Sequence, residues 1–404
     1  MDMLIERKPY MKQLRDLQNE HIIKIISGVR RSGKSTLLEM FANELRKTVT
    51  EAQIQFYNFE DPDNLVWKDR WLDLYQHIVS QMVVGKQNYI FLDEIQNIGN
   101  FEQLADGLFI KAGIDLYITG SNAYFLSSDI ATLLSGRMFE IKVLPLSFSE
   151  YLSSFEDKTD LTVKFQRFMK YGGLPRVLDF GTDDELIVEY LQGIYNTVLL
   201  KDVMKRSGIT DQEVLIDVSS FMLDNIGNIT ASKRIADTLT SRGRAISHST
   251  VDKYIMALSE SLLFYAVDKI GLKGKKRLYS QKKYYSSDVG FRQLVIGARQ
   301  TEIDRGHLLE NIVYLELLRR HIKVEFGRAD DKEVDFVVLT KEGHVEYYQV
   351  AWTVRGEETR AREIAPLNAI KDHNSKYLLT LDTEEPVENG IKQKYVIDWL
   401  LESY

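Results

Sequence analysis

The chain has 404 residues, 44% of them hydrophobic and 27% charged, with a formal net charge of -7. That supplies packed cores for two or three domains, and the acidic balance excludes a chain that is basic throughout while leaving room for a local basic patch. There is no cysteine, which excludes disulfides, thiolate metal sites and cysteine nucleophiles and fits a reducing compartment.

The opening segment MDMLIERKPYMKQL is too charged for a secretory signal. No run of about 18 apolar residues occurs, so no membrane span is expected and a cytoplasmic chain is. Short apolar runs follow at 22–27, 54–59, 89–92, 115–119 and 139–144, with amphipathic stretches such as STLLEMFANELRK between them. Their length and β-branched content predict buried strands. Their alternation with helices predicts a parallel sheet covered on its faces, a domain spanning 1–145. From 146 to 300 helices dominate, with Pro145 and Pro175 as punctuation, and the region closes on a hairpin-like stretch. From 301 to 404 a second, smaller α/β unit is expected. It comprises the helix HLLENIVYLELLRRH, the strands EVDFVVLT and HVEYYQVAW, a further helix and the strand YLLTLD.

The segment GVRRSGKS, at 28–35, follows a strand and opens a helix, and it fits G-x-x-x-x-G-K-[ST]. Glycines let backbone amides curl around phosphates, a lysine reaches the β and γ oxygens, and the helix start favours an anion. Gly28, Arg30, Arg31, Ser32, Gly33, Lys34, Ser35 and Thr36 are therefore the expected ATP-binding set, with Ser35 on Mg2+. The run YIFLDE ends a buried strand in two acids. Asp93 is expected in the Mg2+ shell, and Glu94 is expected to polarise the attacking water. DLYITGSN is a third such strand. Its Ser121 or Asn122 would reach the γ-phosphate or the water, or else simply form a turn.

Taken in order, GVRRSGKST, FLDEIQ, ITGSN, LLSGR, LPLSFSEY and YGGLP resemble a large family of prokaryotic AAA-type ATPases. These carry a C-terminal domain of unknown function with a restriction-endonuclease-like fold. The resemblance covers nearly the whole chain. It implies a sheet in which the Asp93 strand does not adjoin the P-loop strand, and it puts Asn122 at the sensor position. Arg137, in LLSGR, looks like an arginine finger acting in cis or from a neighbouring subunit of a homo-oligomer, or else is a surface arginine. Gly172–Pro175 resemble the glycine–proline motif of signalling ATPases. Pro175 would then pack near adenine and Arg176 sense phosphate, although Gly-Gly and Pro also make a tight turn unaided.

Residues 228–268 carry a helix–turn–helix pattern that runs into two strands about a Gly-rich turn, and the resemblance likewise implies a winged helix. Lys273, Lys275, Lys276, Arg277, Lys282 and Lys283 make this wing basic, with no acid between 269 and 287. The wing is a candidate contact for the phosphate backbone of DNA, or else a solvated loop. Beyond it, Glu310, Asp335 and Gln349-Val350-Ala351 resemble the spacing of a PD-(D/E)XK nuclease core. Gln349 stands where that pattern has an acid and Ala351 where it has its lysine, so a nuclease-inactive domain is implied. Three functions compete at this stage. One is an ATP hydrolase serving as a switch or remodeller of a nucleic-acid or protein partner. The second is an ATP-regulated DNA-binding protein, and the third an ATP-controlled nuclease.

Overall fold

The computed structural model describes residues 4–120, 136–157, 160–272, 277–297, 302–329 and 332–402. The chain divides into two compact units. The smaller comprises Leu4–Val143 with Glu260–Leu262, and the larger comprises Leu144–Ser259 with Leu263–Tyr404.

The smaller unit is built on a parallel sheet of five strands. They are β1 (Ile23–Ser27), β2 (Ile54–Asn58), β3 (Asn88–Asp93), β4 (Ile114–Gly120) and β5 (Met138–Lys142). The order across the sheet is β2-β3-β4-β1-β5. β4 therefore separates the P-loop strand from the acid strand, as expected. The strands read as continuous apolar runs because both faces are covered. On one face Ile26, Phe91, Tyr117 and Ile141 pack against the helices α1 (Lys8–Asp16) and α2 (Lys34–Leu45). On the other, Ile23, Ile25, Ile90, Leu92 and Ile118 pack against α3 (Trp71–Ser80) and α4 (Phe101–Ile110). A lysine interrupts the first run, and its burial has a cause: Lys24 Nζ pairs with Asp115, which also accepts from Tyr117 Oη at 2.9 Å and from the Asn19 amide at 2.8 Å.

The larger unit starts with helices. Ser147 and Glu150 of the LPLSFSEY segment form a capping box at the start of Phe148–Ser153, with reciprocal bonds of 3.1 and 2.9 Å. Further helices span Leu161–Tyr171, Asp184–Thr197, Gln212–Asp224, Ser232–Ser241 and His248–Glu260. Then a nine-stranded sheet forms. Its strands are β6 (Ile229–Thr230), β7 (Phe264–Gly271), β8 (Arg277–Ser286), β9 (Lys323–Ala329), β10 (Lys332–Leu339), β11 (Val345–Ala351), β12 (Ser375–Thr380), β13 (Val387–Glu388) and β14 (Ile391–Tyr395), in the order β13-β14-β12-β11-β10-β9-β7-β8-β6. β9 runs parallel to β7, with Lys269 opposite Phe326. The boundary expected at 300 thus falls inside one sheet and does not mark a division between compact units. The reason is the hairpin's edge, whose backbone groups pair with β9. No helix among the described residues is long and apolar enough to cross a membrane.

Candidate functional site

The phosphate loop leaves the carboxyl end of β1 and turns into α2. Gly28 is required by space, because a Cβ there would lie 2.2 Å from the Val143 carbonyl oxygen. Gly33 occupies the N-cap with φ +95°, a left-handed conformation that glycine adopts without strain, and no side chain caps the helix. The first amides of α2 are thus left for an anion, reinforced by the helix dipole. Lys34 is 3% exposed, and its Nζ donates to the carbonyls of Gly28 at 3.0 Å and Val29 at 3.3 Å. The same ammonium lies 3.8 Å from Glu94 Oε1. Arg30 pairs with Glu60 at 2.9 Å, whereas Arg31 and Thr36 are exposed.

Asp93 ends β3 and is buried. Burial raises its proton affinity, which hydrogen bonds from Thr119 and Ser35 oppose. Thr119 stands on β4, paired with Ile26 of β1. Its Oγ1 donates to Asp93 and accepts the Glu94 amide at 2.8 Å. One hydroxyl on the intervening strand therefore ties the two acids together beside the loop. Glu94 follows in a left-handed conformation with φ +54°, and its Oε2 accepts from Gln96 Nε2. Ser35, whose hydroxyl lowers the proton affinity of Asp93, and the Asp93 carboxylate offer two hard oxygens that suit Mg2+.

Arg137 lies elsewhere. It immediately precedes β5, whose Met138 pairs with Ile23, whereas the loop begins beyond Ser27 at the other end of β1. Four strand steps put it roughly 13 Å along the sheet from the loop. Its Nη1 pairs with Asp106, and its guanidinium lies 5.6 Å above the Phe109 ring. A cis finger is therefore ruled out by register. Ser121 and Asn122 lie outside the described residues, as do Lys273, Lys275 and Lys276 and the side chain of Arg277.

Pro175 opens a 3-10 turn of the larger unit, and Arg176 is exposed there. The neighbouring glycines have a packing cause. A Cβ on Gly172, at φ +77°, would fall 1.7 Å from Asp288 Oδ1. The Asp288 carboxylate accepts the amides of Gly173 at 2.7 Å and Gly290 at 2.8 Å, capping the helix Val289–Ile296. Burial raises its pKa to about 7 against those bonds.

The basic wing needs a correction. Lys283 does not face solvent: it is 1% exposed, and its Nζ lies 2.7 Å from Glu333, 3.0 Å from Glu310 and 4.0 Å from Asp335. An ammonium enclosed by carboxylates has no charge to offer a phosphate backbone. Lys282, half exposed, pairs with Asp268 at 3.3 Å. Glu310 and Asp335 converge with the Lys283 ammonium among them. Burial opposes the Lys283 charge, but Glu310, Asp335 and Glu333 outweigh it and hold the lysine protonated. Burial pushes the Asp335 proton affinity up, with Glu310 adding to it. Gln349 accepts the Asp335 amide at 3.4 Å and donates to Glu363 at 3.2 Å. No group of three or more His, Asp or Glu suited to a metal occurs among the described residues.

Two site residues escaped the sequence reading. Arg7, 4% exposed, donates to the Ser32 carbonyl at 3.1 Å and so braces the phosphate loop from α1. Nothing local to ERKPY signals it. Thr119 immediately precedes the GSN segment of the sequence, and its place near the end of a strand beside Asp93 was a usable signal.

Residues 20–152 match the family described as an AAA domain, and residues 162–302 match a domain of unknown function, DUF8612. An uncharacterized protein of Haemophilus influenzae is 36% identical over 405 aligned positions, covering 99% of each chain. One of Methanocaldococcus jannaschii is 29% identical over 369, covering 87% of this chain and 79% of its own. Among solved structures, a Walker-type ATPase of Pyrococcus abyssi matches with a TM-score of 0.46 and 16% identity, over 72% of this chain and 95% of that one. The parallel sheet with its P-loop and the AAA-domain match make the smaller unit an AAA-type P-loop domain, and the chain belongs to the same family as the Haemophilus influenzae protein.

Proposed function

We propose that the protein hydrolyses ATP to ADP and phosphate at Gly28–Thr36, Asp93 and Glu94. The observation that carries this is the pair of acids joined through Thr119 directly beside Lys34 and Ser35. The triphosphate would lie on the uncapped amides of α2, and Lys34 would exchange the Gly28 and Val29 carbonyls for β and γ oxygens. A water oxygen attacks the γ-phosphorus, the bond from that phosphorus to the bridging oxygen of ADP breaks, and Glu94 takes the water proton. Ser35 and Asp93 would hold Mg2+, which supplies neutralising charge for the phosphates.

The outcome of turnover is read as a switch or remodelling step on a partner. Arg137, if it serves a phosphate, serves that of a neighbouring copy. The order strand, two helices, hairpin across 229–286 supports a winged helix. The helix Glu302–Arg320, three strands, the helix Glu357–Ala369 and β12 support a restriction-endonuclease-like core. With Lys283 inside its acid cluster, we assign that core to assembly or recognition and not to cleavage. A fluorescent ATP analogue tests the site itself. Binding that Lys34→Ala abolishes supports the reading. Equal binding by Lys34→Ala and the unaltered protein ends it.

A further inference from the structure

Both carboxylate oxygens of Glu94 are engaged. Oε1 faces the Lys34 ammonium at 3.8 Å, and Oε2 accepts the hydrogen bond from Gln96. The two contacts differ in permanence. Lys34 also holds two loop carbonyls and is the residue the phosphates would claim. Gln96 arrives from the same strand end, two residues on. The chain can turn back so tightly because Glu94 adopts φ +54° ahead of the 3-10 turn Ile95–Asn97. A left-handed glutamate costs about 1–2 kcal/mol and persists where its surroundings over-determine it. Here they do: the Glu94 amide is bound by Thr119, and Ile95 is fully buried in the core.

The Gln96 side chain makes no other hydrogen bond among the described residues. Its Oε1 is buried without a partner. A glutamine kept for structure would use its carbonyl, since an orphaned buried acceptor costs about 1–3 kcal/mol. Its commitment is through its NH2, to the carboxylate of Glu94.

We propose that Gln96 is a positioning residue for hydrolysis. Its amide pins Glu94 Oε2, so that once Lys34 is drawn away, Oε1 is left free in one fixed orientation to receive the proton of the attacking water. This rests on the hydrolytic reading above. Holding an acceptor in a productive geometry is worth up to about 100-fold, since misplacement by an ångström costs that much.

The test is Gln96→Met, which keeps the length of the side chain and removes the donor, measured beside the unaltered protein and Glu94→Gln. The expected result is a kcat lower by about 10–100-fold, with KM, the Kd of the fluorescent ATP analogue and the melting temperature unchanged. An unchanged or raised kcat overturns the inference. So does a loss of kcat that comes with loss of analogue binding or of melting temperature, because that marks a structural residue. Failure of the hydrolytic reading looks different: the unaltered protein would then turn over no faster than Glu94→Gln.

Discussion

Replacing Lys283 with methionine probes the point at which the structure departs furthest from the sequence. The substitution keeps the length of the side chain and deletes an ammonium that lies within 4.0 Å of three carboxylates. Glu310, 7% exposed, is then left with Tyr285 Oη at 2.5 Å and His307 at 3.5 Å as its partners. Breaking a buried pair by removing one partner costs about 3–5 kcal/mol, because the other charge stays buried. For a unit of this size that corresponds to a melting temperature lower by roughly 6–15 °C. Calorimetry at neutral pH reads it directly. Adding Glu310→Gln recovers some of the loss, since the orphaned charge is removed. The deficit also narrows in acid. Burial alone would raise the Glu310 pKa, but Lys283 and His307 hold it at about 2. A depressed carboxylate stabilises above its ordinary value near 4.5 and loses that contribution as the pH falls toward 2. A variant that melts with the unaltered protein would refute the buried cluster and return Lys283 to the surface.

Other consequences follow from the same geometry. Gly172→Ala forces a Cβ onto the Asp288 carboxylate at positive φ, and calorimetry is expected to register a loss above about 3 kcal/mol. Asp288, its pKa raised by burial from 3.8 to about 7, binds a proton in the folded state that the unfolded chain has released. Its contribution to stability therefore falls as the pH rises from about 4 to 7. Denaturant titrations of Asp288→Asn should show a shallower decline over that window than the unaltered protein. Arg137→Ala removes a half-exposed ion pair and should shift stability by less than about 1 kcal/mol. It should leave turnover unchanged at dilutions where the protein is monomeric, and a loss there would contradict the register argument.

The nucleotide site was legible because its components are local. A P-loop is one segment, and an acid-ending apolar strand is another. Five buried strands announce themselves when both faces of a sheet are covered. What was not legible depends on partners far along the chain. The Gly172–Gly173 pair reads as part of a nucleotide-contacting motif or as a turn until Asp288, 115 residues beyond Gly173, is seen to occupy the space. Arg7 reaches Ser32 across 25 residues, a partner that the charged segment ERKPY does not signal. Lys283 was misread for another reason. Counting charge along the hairpin treats every lysine as solvated, whereas the two-residue period of a strand puts Lys283 with Tyr285, which is fully buried, and Lys282 on the opposite face. That signal was present in QKKYYS. A change of pattern from helices to strands near 300 does not reveal that strands on both sides of it join one sheet.

The most direct test is phosphate release from ATP by the purified protein beside Glu94→Gln and Lys34→Ala, with and without DNA. The account predicts magnesium-dependent turnover that both substitutions abolish, with Glu94→Gln still binding the fluorescent ATP analogue and Lys34→Ala not. Turnover that survives Glu94→Gln, or binding that survives Lys34→Ala, would contradict it.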